Sequence, residues 1–243
     1  MLTPVDCIAL RTVRVSDSKN LLSAWTRQAG RITFSIPAGN GREARRRRAF
    51  TVPLGTFQAV ADLRPNREIA GMRDVSPMAG SLAMGGSPLH GVTAIFLSEV
   101  LDNMLRRSEP DEALSAFLFQ AIELFASLPP ESIYNFHIVF LYHLASYAGI
   151  APDTDTFVSR RTTPVFDLRE ARFRAAAPLH GDYIEGNETR FLTLLARSPL
   201  SASHRLPLRR AERNRALDLI LRYISIHLTP LDSLHSLEIL RGM

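Results

Sequence analysis

The hydrophobic pattern of this chain changes type near residue 79, which restricts the fold to a β module followed by a helical one. Before that point apolar side chains recur at every second position, as in RITFSIP, where Ile32, Phe34 and Ile36 alternate with polar residues. Four more segments have strand character: CIALRTVRV, NLLSAWT, TFQAVAD and REIAGMRDV. Five short strands in this length predict a small closed or partly closed barrel.

The first of these strands contains a change of phase. Ile8 and Leu10 share one face, whereas Val13 and Val15 lie on the other. Because one extra residue reverses which face each later side chain occupies, we predict a β-bulge or sharp coil near Arg11–Thr12.

The rest of the chain is predicted to be helical, after a Gly-, Ser- and Pro-containing hinge at 79–91. Helices are expected at 88–107, at 111–128 after Asp111, at 132–150 with Ser132 as cap, and in ETRFLTLLAR and AERNRALDLILRYISIHL, with a short amphipathic turn at the end. We therefore predict an α+β multi-domain chain. Its parts are a barrel at 1–79, a central helical domain at 80–152, an irregular or hairpin subdomain at 153–184, and C-terminal helices packing on the central ones at 185–243.

Several classes of protein are excluded by composition. No stretch of eighteen apolar residues is present, and the N-terminus lacks a secretory-signal pattern. The single cysteine, Cys7, cannot form an internal disulfide or build a cysteine-based zinc site alone. These features predict a cytoplasmic protein without membrane spans.

Basic charge is concentrated in the predicted barrel. The chain has a formal net charge of +5, but residues 1–79 hold 13 of its 29 basic side chains and only 6 of its 24 acidic ones. A basic module joined to a mildly acidic remainder is typical of proteins that bind a polyanion.

The densest basic segment is GNGREARRRRAF, which we predict to be a flexible loop beside the barrel. Five guanidinium groups this close repel one another unless solvent or a polyanion screens them, and they suit contact with successive phosphates. The alternative is a solvated loop without specific function. The candidate nucleic-acid-binding residues are Arg11, Arg14, Lys19, Arg27, Arg31, Arg42, Arg45, Arg46, Arg47 and Arg48.

Aromatic side chains could add base stacking. We predict that Trp25 and Phe34 pack inside the barrel, and the role of Phe50 stays open. Whether Arg160, Arg161, Arg209 and Arg210 extend a nucleic-acid path or receive an acidic peptide is also open.

Enzymatic motifs are missing from the sequence. It contains no Walker-type loop, no GxSxG and no HExxH. Asp153 and Asp155 lack a third nearby acid for a two-metal site. His137 and His143 lie on an apolar helix, where buried, hydrogen-bonded histidines are expected rather than metal ligands. A nuclease or other phosphoryl-transfer enzyme is therefore the least favoured class.

The ordered segments resemble the RecO family of bacterial recombination mediators. The similarity begins at CIALRTVRVSDSKNLLSAWTRQAGRITFSIPAG and continues in VPLGTFQAVADLRPNREIAGMRDV. It returns in FLYHLASYAGIAPDTDTF, with a G-x-x-P-D motif, and in YISIHLTPLDSLHSLEIL at the end. Together these segments cover almost the whole chain.

The resemblance implies an N-terminal OB-fold barrel, a helical body and no catalytic site. It also implies binding of single- and double-stranded DNA, strand annealing, joint action with RecR in loading RecA, and contact with the acidic tail of single-strand-binding protein. An alternative is an adaptor whose main ligands are RecR and that tail.

The sequence departs from the family in one respect. Many RecO proteins hold zinc with a cysteine quartet after the central helices, but the corresponding stretch here contains no cysteine. We predict no zinc or other cofactor, and apolar contacts from Phe157, Val165, Phe166 and Phe173 in its place.

Overall fold

A computed structural model describes residues 2–39, 41–64, 68–78, 87–106, 108–154, 165–231 and 233–243. It contains two compact units, one of Met1–Pro130 with Leu234–Met243 and the other of Glu131–Ser233. Most of the predicted hinge, together with Asp155, Phe157, Arg160 and Arg161, lies outside the described residues. The four-part domain division stays a prediction.

Five strands of the first unit close into a barrel with the order β1-β2-β3-β5-β4. Their bounds are β1 Leu2–Arg14, β2 Lys19–Thr26, β3 Gly30–Pro37, β4 Thr56–Asp62 and β5 Ile69–Pro77. All pairings are antiparallel except that of β3 with β5. This five-stranded order is that of the OB fold, which confirms the predicted barrel.

Alternate residues of these strands fill the barrel. Val5, Cys7, Leu22, Phe34 and Phe57 point into one buried cluster, as the period-two pattern requires. The opposite face of β1 and β2 is also buried in part, because Ile8 and Trp25 are inaccessible to solvent.

The bulge predicted in β1 is present and lies between Ala9 and Arg11. There the backbone of Ala9 bonds to the loop that leads into β4: it donates to the Gly55 carbonyl and accepts from the Leu54 amide, both at 2.8 Å. Gly55 is required because a Cβ at this position would lie 2.1 Å from the Phe50 carbonyl oxygen. The bulge thus fixes the loop that follows the arginine-rich segment.

Helices of the first unit are α1 Arg42–Arg48, α2 Pro88–Met104, α3 Glu112–Ser127 and α7 Leu237–Arg241. Asp111 caps α3 by accepting a hydrogen bond from the Leu114 amide at 2.7 Å. The Trp25 indole donates to Ser115 Oγ at 3.1 Å, so α3 covers this side of the barrel. The prediction of a flexible loop at the arginine-rich segment is wrong, because the segment forms α1.

The second unit contains α4 Phe136–Tyr147, α5 Thr189–Ala196 and α6 Arg210–His227, with α5 and α6 packed on α4. The predicted cap at Ser132 is wrong. Pro130–Ser132 forms a 3-10 turn, and α4 begins only at Phe136. Just before it, the side-chain amide of Asn135 donates to the Ser203 and Leu206 carbonyls.

A three-stranded antiparallel sheet occupies the predicted irregular subdomain of the second unit. Its strands are β6 Val165–Asp167, β7 Arg172–Arg174 and β8 Tyr183–Glu185, with β6 central. Phe166 and Phe173 pack edge to face with centroids 5.1 Å apart, and Val165 is buried. The Asp167 carboxylate accepts from two turn amides and lies 3.0 Å from Arg174 Nε. Apolar packing and an ion pair between the buried Asp167 and the partly exposed Arg174 therefore hold this sheet.

None of the helices in the described segments has the length and apolarity needed to cross a membrane.

Candidate nucleic-acid interface

Three strand termini and helix α1 meet at one end of the barrel, which we call the basic end. β1 finishes at Arg14, directly opposite Asn20 of β2, and Lys19 at the start of β2 lies opposite Pro37 at the end of β3. Helix α1 follows β3 and lines a cleft together with residues of these strands. Eight of the ten predicted binding residues lie here: Arg11, Arg14, Lys19, Arg42, Arg45, Arg46, Arg47 and Arg48.

Helix α1 forms despite its own charge. Like charges three or four residues apart destabilise a helix by about 0.2–0.5 kcal/mol per pair, and a helix of this length is marginal in isolation. Two features offset this loss of helix stability. Arg45, Arg46, Arg47 and Arg48 fall in the last turn, where the helix dipole favours cations. Phe50, immediately after the helix, is buried against Phe57 with ring centroids 5.9 Å apart. The barrel core thus anchors a helix that carries unbalanced positive charge.

Among the side chains that the structure describes, few carboxylates offset this charge. Among the described side chains, no carboxylate pairs with Arg11, Arg42, Arg45, Arg46 or Arg47. Arg14 forms an ion pair with Asp17, but both side chains are largely exposed, so this pair contributes little to the stability of the fold. Lys19 lines a separate open depression beside Glu68 and Gly71. The basic end therefore offers a positive field that an anion can meet.

Arg27 and Arg31 lie at the other end of β2 and β3, and both are engaged within the protein. Arg27 Nε is 3.6 Å from Asp6, and its guanidinium covers the Phe119 ring at 4.6 Å. Arg31 donates to Asp102 Oδ1 through Nη2 at 2.7 Å and Nε at 3.1 Å, and Nη2 also donates to Ser23 Oγ. The ten predicted residues are therefore not one surface. The geometry gives Arg27 and Arg31 structural roles.

The barrel aromatics are unavailable for stacking on bases. Trp25 and Phe34 have no exposed surface, and Phe50 is 2% exposed. Burial in the core is confirmed for Trp25 and Phe34, but only Phe34 lies inside the barrel, where Phe50 joins the same cluster. Trp25 is buried on the outer face of β2, against α3. A ligand at the basic end would therefore meet charged and non-aromatic side chains.

One polar residue of this region escaped the sequence reasoning. Asn20 lies on the inward face of β2, two residues before Leu22, and its Oδ1 is buried without a hydrogen-bond partner among the described residues. A polar side chain at a position where the period-two pattern expects an apolar one was the available signal. Asp102 had no such signal, because its partner Arg31 is distant in sequence.

The residues considered for enzymatic chemistry do not form a site. Within the described segments, no three His, Cys, Asp or Glu side chains are grouped as metal ligands. Asp153 forms a backbone bridge with Arg172, and Asp155 lies outside the described residues. His143 Nε2 lies 3.0 Å from the Ser198 carbonyl. Burial lowers the pKa of His137 to about 3, with Arg213 adding to the effect, so its ring stays neutral.

Similarity to known proteins is consistent with this arrangement. The family described as "Recombination protein O C terminal" matches residues 92–238, more than half of the chain. The chain belongs to the RecO family. It is 28% identical over 236 residues to the DNA repair protein RecO of Phocaeicola vulgatus, covering 97% of this chain and 96% of that protein. The RecO proteins of Porphyromonas gingivalis (27% over 235 residues, 96% and 95%) and Christiangramia forsetii (23% over 242 residues, 99% and 98%) are also similar.

The zinc ion that RecO membership implies for many proteins does not fit the residues present here. The only cysteine is Cys7, which is buried in the barrel core. Burial raises the pKa of its thiol, and nearby Asp6 adds to this, so the thiolate that zinc requires is disfavoured. In this RecO protein the region of β6, β7 and β8 depends on the Phe166–Phe173 packing instead.

Proposed function

We propose that this RecO protein is a DNA repair and recombination mediator that binds single- and double-stranded DNA through the basic end of its barrel. In this proposal it anneals complementary strands and, with RecR, helps to load RecA onto DNA coated by single-strand-binding protein. It acts without catalysis, in the cytoplasm at the nucleoid, and contacts the acidic tail of single-strand-binding protein.

The observation that supports the binding surface is the gathering of eight cationic side chains at one end of the barrel, five of them without a carboxylate partner in the described structure. Phosphate contacts position a nucleic acid without reading its sequence. With the aromatics inside the core, affinity comes mainly from release of counterions, and little sequence preference is expected.

Annealing follows from the same charge. Two complementary strands repel each other through their phosphates, and a cationic surface that neutralises both reduces this repulsion. Bases that are not stacked on protein aromatics keep their faces free to stack within a new duplex. The basic end therefore supports a role in bringing strands together rather than in holding them apart.

The test is a salt titration of the full-length chain with a labelled single strand. Each phosphate contact contributes about 0.7 to the slope of log affinity against log salt. The double variant Arg45→Ala/Arg46→Ala should lower the slope by about 1.4 and weaken binding at low salt. Both side chains are exposed, so stability should change by no more than about 0.5 kcal/mol.

A matched control is Arg172→Ala/Arg241→Ala. It removes the same charge, but from arginines that pair with Glu170 and Glu238. This control should keep the wild-type slope. If both double variants lose the same slope, net charge rather than the basic end carries binding. If neither changes it, the arginines of α1 are not the DNA surface, and an adaptor of RecR and the single-strand-binding protein tail becomes the better account.

A further inference from the structure

A cleft beside α1 lies at the basic end. It has a volume of about 260 Å³ and lies between α1 and the ends of the first three strands. Its lining includes Asn20, Ile36, Ala44, Arg47, Arg48 and Val52. Sites for drug-sized ligands occupy roughly 300–1,000 Å³, so this cleft suits one ring system rather than a peptide segment.

The cleft is lined by both apolar and positively charged side chains. Ile36, Pro37 and Val52 supply apolar walls, while Arg47 and Arg48 supply positive charge. A nucleotide has this same division, with a flat, largely apolar base joined to an anionic phosphate. An aliphatic or an acidic ligand alone would match only one half of the lining.

Asn20 gives the independent observation. Its Oδ1 is buried and lacks a hydrogen-bond partner among the residues that the structure describes, and the side chain lines the cleft. Buried amide oxygens nearly always accept a hydrogen bond, and leaving such an oxygen without a donor lowers the stability of the fold. This oxygen has almost no accessible surface, so it can accept from a base only after the Asn20 side chain turns toward the cleft. Every nucleobase carries at least one N–H that could donate to it, so this contact would not select among bases.

We propose that the cleft accepts a single unstacked nucleobase of bound single-stranded DNA, with a neighbouring phosphate at Arg47 and Arg48, and that the Asn20 side chain turns toward the cleft so that its Oδ1 accepts a hydrogen bond from a base N–H. This inference rests on the proposed function and assigns it a base-contacting subsite. The subsite would supply a contact to a base that the barrel aromatics cannot make, because they are buried. One base held in this way fixes the strand while its neighbours stay free to pair.

The experiment compares two labelled strands of about 16 nucleotides, the upper site size for one OB fold. One is oligothymidylate, and the other has the same backbone with every base replaced by an abasic residue. Full-length wild type should bind the strand with bases about tenfold more tightly, because one base is buried against apolar walls and makes one hydrogen bond. The salt slope should be the same for both strands, because their phosphates are the same.

Ala44→Leu fills the cleft from α1 without changing charge, since Ala44 is half-buried and lines it. It should reduce the ratio of the two affinities to about one and leave binding of the abasic strand and the salt slope unchanged. The matched control is Ala49→Leu, at an exposed position just after the same helix and away from the cleft lining. The control should keep the tenfold ratio.

A second variant, Asn20→Leu, separates binding from folding. Asn20 is half-buried, and its Oδ1 has no hydrogen-bond partner among the described residues, so an apolar group of similar size should leave the melting temperature equal or higher while lowering the affinity ratio. A wild-type ratio near one, or an unchanged ratio in Ala44→Leu, would overturn the base subsite. Equal, salt-dependent binding of both strands would remove only the subsite, whereas failure of both strands to bind would remove the proposed function as well.

Discussion

Arg31 and Asp102 form an ion pair within the first unit. In this respect Arg31 differs from the exposed arginines of the basic end. Arg31 is 19% exposed and Asp102 6% exposed at the side chain, and two donors of Arg31 converge on Asp102 Oδ1 at 2.7 and 3.1 Å. Arg31→Met would leave the carboxylate buried without its cation. We expect the loss of stability to exceed any loss of DNA binding.

The magnitude follows from the burial. Breaking a fully buried pair by removing one partner costs about 3–5 kcal/mol. Because the Arg31 side chain keeps 19% of its surface in solvent, which screens the charge, we expect a cost below that range, about 2–3 kcal/mol for Arg31→Met. Asp102→Leu in the same background should recover part of the loss, since no lone charge then remains. The double-mutant cycle should therefore give a coupling of about 2 kcal/mol.

The assay is urea unfolding of the full chain followed by tryptophan fluorescence. Trp25 is the only tryptophan, is fully buried, and lies opposite Arg31 in the β2–β3 pairing, so its signal reports the unit that contains the pair. The matched control is Arg11→Met, the same substitution at an exposed position of β1. It should change stability by less than about 0.5 kcal/mol and lower the DNA salt slope by about 0.7. The opposite pattern, a stable Arg31→Met with a reduced slope, would refute the structural role of Arg31.

Two further predictions concern the first unit. The emission of Trp25 should keep its wavelength and resist iodide quenching when single-stranded DNA is added, because the indole is buried and bonded to Ser115; DNA-dependent quenching would contradict the closed core. The C-terminal helix α7 should detach at acid pH. Burial raises the pKa of Glu99, but hydrogen bonds from Ser236 and His235 outweigh this and hold the pKa below its ordinary value. The stabilisation is therefore complete above the ordinary glutamate pKa of about 4.3 and is lost as the pH falls through the lower folded pKa. Hydrogen exchange at Leu237–Arg241 should rise in that range for wild type and be fast at all pH in Glu99→Gln, and equal protection in the two proteins at neutral pH would count against this contact.

The strands and the bulge could be predicted from the sequence because they depend on local alternation. The change of phase in CIALRTVRV located the bulge to within two residues of its position between Ala9 and Arg11. Asp111 marked the start of α3 because a capping carboxylate acts within one turn. These features need no knowledge of distant residues.

Helix α1 could not be predicted in the same way. Its sequence has no apolar periodicity and its charges oppose helix formation, so a loop was the natural expectation. The helix depends on Phe50 packing against Phe57 and on the Gly55 loop bonding to Ala9, which are tertiary contacts. The roles of Arg27 and Arg31 were hidden for the same reason, because Asp6 and Asp102 approach them only in the folded unit.

The position of the aromatic side chains connects the fold to the kind of DNA binding that we propose. An OB barrel that stacks bases on surface aromatics holds a single strand firmly but occupies the base faces on which the neighbouring pairs of a new duplex must stack. Here Trp25, Phe34 and Phe50 support the core, and α1 presents arginines at the basic end. Such a surface attracts phosphates while leaving most bases unbound. A strand attached mainly by its backbone, and fixed at one base in the cleft beside α1, can still meet a complementary strand, which is the physical requirement for annealing.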